Sequence, residues 1–195
     1  MAIRLFQFKT SMFCEKVRIV LSLKNLPYEL VDARQDERKA LIEFSGQKKV
    51  PVLDYHGQCV IDSTTISAFL DEKNPHNGIY PAGASEKGLC LILEDWADEV
   101  LFEAVHDMRP VESAETRKDG ERRLQIHLQS LDQFLAGKKF IFDRLTMADI
   151  AIFVELHYLY TTVQYEIPGH YKNVGVWMNL MRESLKLSSL RDIAA

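Results

Sequence analysis

Along residues 3–8 apolar positions recur at every second residue, with Ile3 and Leu5 on one face and Phe6 and Phe8 on the other, the period of a strand. From Cys14 the period lengthens to a helical one, carried by Val17, Val20, Leu21 and Leu23 and stopped near Asn25 and Pro27. Residues 28–31 then read as a short strand and residues 37–44 as a short helix. Residues 51–54 and 58–61 form a hairpin about His56-Gly57, and residues 63–72 a helix stopped by Asn74-Pro75. The order is βαβαββα.

Residues 77–84 carry Asn77, two glycines and Pro81 and read as a linker. Beyond them every stripe is helical. Leu89, Ile92, Leu93, Trp96, Val100 and Ala104 form one expected core face, and Leu124, Leu128, Leu131 and Leu135 a second. Ala148, Ile152, Leu156 and Leu159 form a third, Val174, Trp177, Leu180 and Met181 a fourth, with a short terminal helix over 185–193. The expected architecture is α/β plus all-α: a domain over 1–76, a linker over 77–84 and a helical domain over 85–195.

Composition narrows the function classes. A net charge of −4, with basic residues scattered rather than clustered, argues against nucleic acid as a partner. No apolar run reaches the length of a membrane span, and residues 1–4 lead straight into a strand without signal-peptide architecture, so no membrane partner is expected. The three cysteines, Cys14, Cys59 and Cys90, cannot all pair internally, which fits a reducing compartment, by default the cytoplasm. Cys59 and Cys90 fall in apolar patterns and are expected in the core. Neither the cysteines nor the six histidines have metal-ligand spacing, so no metal is expected.

The candidate chemistry lies in the first domain. Ser11 sits between the first strand and first helix, where it either caps the helix or donates a hydrogen bond to the sulfur of a bound thiol, aided by the helix dipole. Thr10 is a neighbouring hydroxyl that offers the same function. Cys14 follows three residues later; lacking a partner cysteine it is either an inert buried thiol or a monothiol nucleophile. In Lys49-Val50-Pro51-Val52-Leu53 a proline opens a strand, a place where it is tolerated. A cis Val50-Pro51 bond would aim the Val50 backbone at an extended peptide added to the strand edge. Lys48 and Lys49 are either a solvated pair or partners for that peptide's carboxylate. Asp62 and Ser63 head the third helix, either as caps or as receivers for an ammonium and a carboxylate on one carbon. In the functional reading of each, a small, anionic, thiol-bearing peptide with a γ-glutamyl end would satisfy these features together, and glutathione is the expected ligand. Thr146-Met147-Ala148-Asp149 resembles a capping box and is assigned to folding of the helical domain.

Four segments, in order and spacing, resemble the cytosolic glutathione transferases over nearly the whole chain: Ser11-Met12-Phe13-Cys14-Glu15-Lys16-Val17-Arg18, Lys49-Val50-Pro51-Val52-Leu53, Ile61-Asp62-Ser63 and Thr146-Met147-Ala148-Asp149. The resemblance implies a thioredoxin-like N-terminal domain, an all-helical C-terminal domain that forms the electrophile site, and a homodimer. It places Ser11 where serine-type members such as the zeta and theta classes hold their catalytic serine, with Lys49, Val50, Pro51, Asp62 and Ser63 binding glutathione as co-substrate. Omega-like and beta-like members use a cysteine near this turn, so Cys14 stays open beside Ser11 and the class is not fixed. Phe6 and Phe8 stand where tyrosine-type members carry Tyr, which excludes that mechanism. Ser45-Gly46 departs from the Asn-Pro of many relatives, and the short stretch after Arg191 is expected to leave the electrophile site uncovered.

The function this implies is activation of the glutathione thiol for attack on a small electrophile, in detoxification. The alternatives are a non-catalytic interaction protein resembling the stringent starvation proteins, or a glutathione-dependent isomerase or thiol transferase working through Cys14. The acceptor is expected in a cleft lined by Met12, Phe13, Phe102 and Met108.

Overall fold

The structure, a computed structural model, describes residues 2–186. It divides into two compact units, Met1–Tyr80 and Pro81–Ala195. The terminal helix expected over 185–193 lies, from residue 187 onward, outside the described residues.

In the first unit the chain runs β1 (Ile3–Gln7), α1 (Met12–Leu23), β2 (Tyr28–Asp32), a 3-10 turn (Gln35–Arg38), α2 (Lys39–Ser45), β3 (Val52–Tyr55), β4 (Gln58–Ile61) and α3 (Ser63–Lys73). The strands form one sheet in the order β2-β1-β3-β4, parallel between β1 and β2 and antiparallel elsewhere. Alternation then sorts the side chains. Phe6 and Val52 bury one face of the sheet with Leu41 of α2 and Phe44. Leu5 and Leu53, both 0% exposed, point the other way. The hairpin turns at His56 (φ 57°) and Gly57 (φ 99°), the two positive-φ positions that match strand twist in a two-residue turn. Asp54 fastens it by accepting from Gly57 N (2.6 Å) and from Arg4 Nε (2.9 Å).

The helix expected over 37–44 is split instead into the 3-10 turn and α2, because Glu37 (φ 51°) and Arg38 (φ 68°) adopt left-handed backbone that an α-helix cannot contain. Residues 77–80 of the segment read as a linker are packed into the first unit. The buried Lys24 Nζ donates to Asn74 O (2.7 Å), His76 O (3.1 Å) and Asn77 O (3.1 Å) and pairs with Asp71. Asp71 in turn accepts from Ile79 N (2.9 Å).

Cys59 corrects the expectation of a core residue. It is exposed, since β4 is an edge strand that turns only Val60 inward. Cys90 is fully buried.

The second unit comprises α4 (Ala84–Trp96), a π-helical turn (Ala97–Leu101), α5 (Phe102–His106), α6 (Ala114–Phe134), α7 (Met147–Tyr158), a second π-helical turn (Leu159–Val163) and α8 (Lys172–Ser184). Every residue from Met147 to Leu156 is buried, so α7 is the central helix. Leu124, Leu128, Leu131 and Leu135 bury one side of α6. At Gly120 a Cβ would meet Ala104 O at 2.9 Å, so α6 approaches α5 closely only because that position lacks a side chain.

The stripe expected on α4 is wrong in phase. Leu89 (55% exposed), Ile92 (65%) and Val100 (44%) face outward, Leu93 and Trp96 are half-buried and only Ala104 of the expected row is buried, while the buried row on this stretch is Cys90, Glu94, Ala97 and Leu101. Apolar residues lie nearly all round this helix, and Glu94 in the buried row disguises it.

Candidate functional site

The site is organised by strand register. Phe6 stands opposite Val52, and Val52 opposite Ile61. Three separated segments therefore leave the sheet at one end: the turn after β1 with Thr10 and Ser11, the approach to β3 with Lys49, Val50 and Pro51, and the exit from β4 with Asp62 and Ser63. Neighbouring strands lie about 4.8 Å apart, which sets the scale of the arrangement. Parallel pairing of Gln7 with Asp32 brings the segment after β2, with Arg34 and Arg38, to the same end.

Ser11 is half-buried and caps α1, its Oγ accepting from Cys14 N at 3.4 Å. Its own N–H donates to Phe8 O (3.1 Å), which fixes the turn. Capping and thiol activation are not exclusive here. A hydroxyl has two lone pairs and one proton, and the cap uses one lone pair, leaving the O–H to donate. Thr10 is exposed, and its Oγ1 accepts from Arg34 Nη2 at 3.4 Å.

Cys14 is 0% exposed. Burial pushes its thiol up, against the opposing pull of Ser11, the Phe8 backbone and the Arg18 guanidinium. A buried, protonated thiol is a poor nucleophile, so its inert reading is the one that fits.

The Val50-Pro51 bond is cis. The ladders to β1 and β4 begin at Val52, so Val50 stands ahead of them. Val50 is half-buried and packs on the Phe6 cluster, Pro51 is buried, and Lys48 and Lys49 are exposed.

Asp62 caps α3, accepting from Thr65 N at 2.9 Å, with a backbone φ of 72° that is uncommon for a residue bearing a Cβ. Its carboxylate is exposed and keeps further acceptor capacity. Ser63 is buried (5% exposed) and begins the helix, whose N-terminal amides carry partial positive charge.

Two residues at this end were not foreseen from sequence. Arg34 and Arg38 place their guanidinium groups 5.1 Å and 4.9 Å from the Phe8 ring centroid, and Arg38 Nη1 donates to Lys48 O at 2.8 Å. The run Gln35-Asp36-Glu37-Arg38 has no apolar periodicity and gave no signal of this placement.

Among the described residues no cluster of His, Cys, Asp or Glu is placed to hold a metal ion, and no helix is long and apolar enough to cross a membrane.

Residues 5–78 match the family of glutathione S-transferase N-terminal domains. A probable glutathione S-transferase of Nicotiana tabacum is 28% identical over 152 residues, which cover 76% of this chain and 67% of the relative. A stringent starvation protein A homolog of Haemophilus ducreyi is 27% identical over 154 residues, covering 76% of this chain and 70% of its own. Among solved structures, a glutathione S-transferase from Methylobacillus flagellatus with glutathione bound superposes with a TM-score of 0.82 at 24% identity, over 95% of this chain and 98% of that one. Glutathione transferase F2 from Populus trichocarpa gives 0.82 at 18% identity, over 99% and 100%.

Proposed function

We propose that this chain, which belongs to the glutathione transferase family, binds glutathione at the shared end of its sheet and activates the thiol for attack on an electrophile. The observation that carries the reading is the register Phe6–Val52–Ile61, which delivers a hydroxyl, a strand edge and a capped helix N-terminus to one place.

In this reading glutathione lies extended beside Val50, pairing through its cysteinyl backbone ahead of the β3 ladder. Asp62 receives the γ-glutamyl ammonium, and Ser63 with the α3 amides receives the neighbouring carboxylate. Lys49 neutralises the glycyl carboxylate, and Pro51 fixes the course of the backbone into β3. Ser11 Oγ donates its proton to the sulfur as a hydrogen bond, and the α1 dipole adds to the stabilisation of the thiolate. A free thiol has a pKa near ~8.5, so each unit of depression raises the thiolate fraction about tenfold at neutral pH. The thiol proton passes to solvent. The sulfur lone pair then forms a carbon–sulfur bond, and the electrophile's leaving group departs with the bonding pair, or an addition acceptor takes up a proton.

The electrophile site belongs, in the same proposal, to the helical unit. The outward row of Leu89, Ile92 and Val100 supports a homodimer, since a contiguous apolar face is normally covered. The three free cysteines favour the cytoplasm, where such a transferase would serve detoxification. Burial of Cys14 weighs against thiol transfer through it.

Calorimetric titration with glutathione, with conjugation assays on aryl halides and epoxides, tests the reading. Saturable binding and thioether formation are expected; a chain that binds no glutathione would instead fit an interaction module. Ile92→Asp is expected to shift the protein to a monomer in sedimentation, and an unchanged sedimentation coefficient rejects the paired face.

A further inference from the structure

The geometry points to Arg38 as a positioning residue that clamps the approach to β3 against the end of β1, and so sets the spacing between Ser11 and the Val50 backbone before ligand arrives. This inference rests on the glutathione reading above but assigns a role to a residue outside the set it uses.

Arg38 touches both halves of the site at once. Its Nη1 donates to Lys48 O at 2.8 Å, two residues before Val50. The same guanidinium lies 4.9 Å from the centroid of the Phe8 ring, and Phe8 O accepts from Ser11 N at 3.1 Å. An unbroken chain of contacts therefore runs from Ser11 through Phe8 and Arg38 to Lys48.

The backbone is shaped for that reach. Arg38 has a φ of 68° and the preceding Glu37 a φ of 51°, left-handed conformations at two successive residues that carry Cβ atoms. Such conformations persist only where the surroundings fix them, and they cluster at functional sites. They also separate the 3-10 turn from α2, which is how a residue at the head of α2 turns back over β1.

The rest of the loop is stitched in the same way. Gln47 Nε2 donates to Lys49 O (3.2 Å), and Ser45 Oγ donates to Leu41 O (2.7 Å) while accepting from Gln47 N (3.4 Å). The carbonyls of Lys48 and Lys49 are thus both engaged by side chains on the α2 side. Strand addition by an extended peptide needs an ordered edge, and an edge that must be ordered at the moment of binding weakens affinity by its unpopulated fraction.

The test is Arg38→Leu, which keeps apolar bulk over Phe8 but removes the donor. The dissociation constant for glutathione is expected to rise roughly tenfold, the scale of one hydrogen bond from a charged donor. The glycyl monoester of glutathione should weaken by the same factor. Turnover at saturating glutathione should stay within about twofold, because transition-state contacts to sulfur are untouched. Amide exchange over 46–50 in the ligand-free protein should quicken. Arg38→Lys, which keeps a donor without the planar stack, should fall between the two.

An unchanged dissociation constant overturns the inference. So does weakening of glutathione but not of its ester, since Arg38 would then be a direct carboxylate contact. Should the wild-type chain bind no glutathione, the functional reading fails by itself, and exchange over 46–50 then decides the clamp: unchanged exchange in Arg38→Leu overturns it. Phe8→Leu supplies the second variant if Arg38→Leu does not fold. It is expected to weaken binding severalfold, and no change in binding counts against the clamp.

Discussion

Two units of this protein begin helices with the same residue types and leave them with opposite amounts of free bonding capacity. In the helical unit Thr146 and Asp149 open α7, and both are 0% exposed. Asp149 accepts from Ile141 N (2.8 Å), Thr146 N (2.9 Å), Thr146 Oγ1 (2.9 Å) and Trp177 Nε1 (3.2 Å), so both its oxygens are engaged. Burial pushes its carboxyl up while those four donors pull it down. In the α/β unit Ser11 caps α1 at 3.4 Å and Asp62 caps α3 at 2.9 Å, each with one cap contact and solvent access. A helix cap is a chemical resource where bonding capacity remains, and a structural rivet where it is used up.

The comparison breaks most visibly at Asp149. Asp149→Ala strands buried donors, each worth about 1–3 kcal/mol, and should cost roughly 4 kcal/mol of stability in urea unfolding; a loss under about 1 kcal/mol would make it no different from a surface cap. Ser11→Ala should act on chemistry instead. Conjugation is expected to fall about a hundredfold, roughly 2.7 kcal/mol of barrier, with glutathione affinity within twofold and stability lowered by no more than about 1 kcal/mol. Equal turnover in that variant removes Ser11 from the mechanism.

Asp62→Ala sharpens the contrast on the binding side. A roughly tenfold rise in the glutathione dissociation constant is expected, with a stability loss near ~1 kcal/mol for the cap. A drop in stability without a change in affinity assigns Asp62 to folding alone.

The smallest effect is one of pH, and it falls on the helical unit. Burial and nearby arginines (Arg109 and Arg123 respectively) hold the imidazoles of His106 and His127 below the ordinary histidine range. A depressed folded-state value means the unfolded chain takes up protons first. The contribution is complete above about pH 6.5 and declines as pH falls through the folded values. Thermal midpoints should decline through that window, and His106→Gln/His127→Gln should flatten the decline. Equal slopes in the two proteins reject the assignment.

What could be read from the chain follows the same division. The hairpin was legible because His56-Gly57 has few conformational options, and the segments around Ser11, Val50 and Asp62 because each carries local turn, proline or cap chemistry. The strand order that brings them to one end of the sheet leaves no such local mark. Arg38 was not, since a left-handed pair in a polar run leaves no periodic trace. Cys59 was misplaced because alternation does not reveal which face of an edge strand is covered. The buried row of α4 was missed because Glu94 occupies it and Ile92 does not.

Lys24 carries a practical consequence for anyone dividing this protein. A fragment ended at residue 76 keeps the ammonium with Asp71 and the Asn74 and His76 carbonyls. It discards the fourth acceptor, the Asn77 carbonyl, and the Ile79 amide that donates to Asp71, so a buried ion pair loses part of its cover at the cut. Ended after Tyr80, the same fragment retains the whole knot, so the place to sever the polypeptide lies at the peptide bond before Pro81.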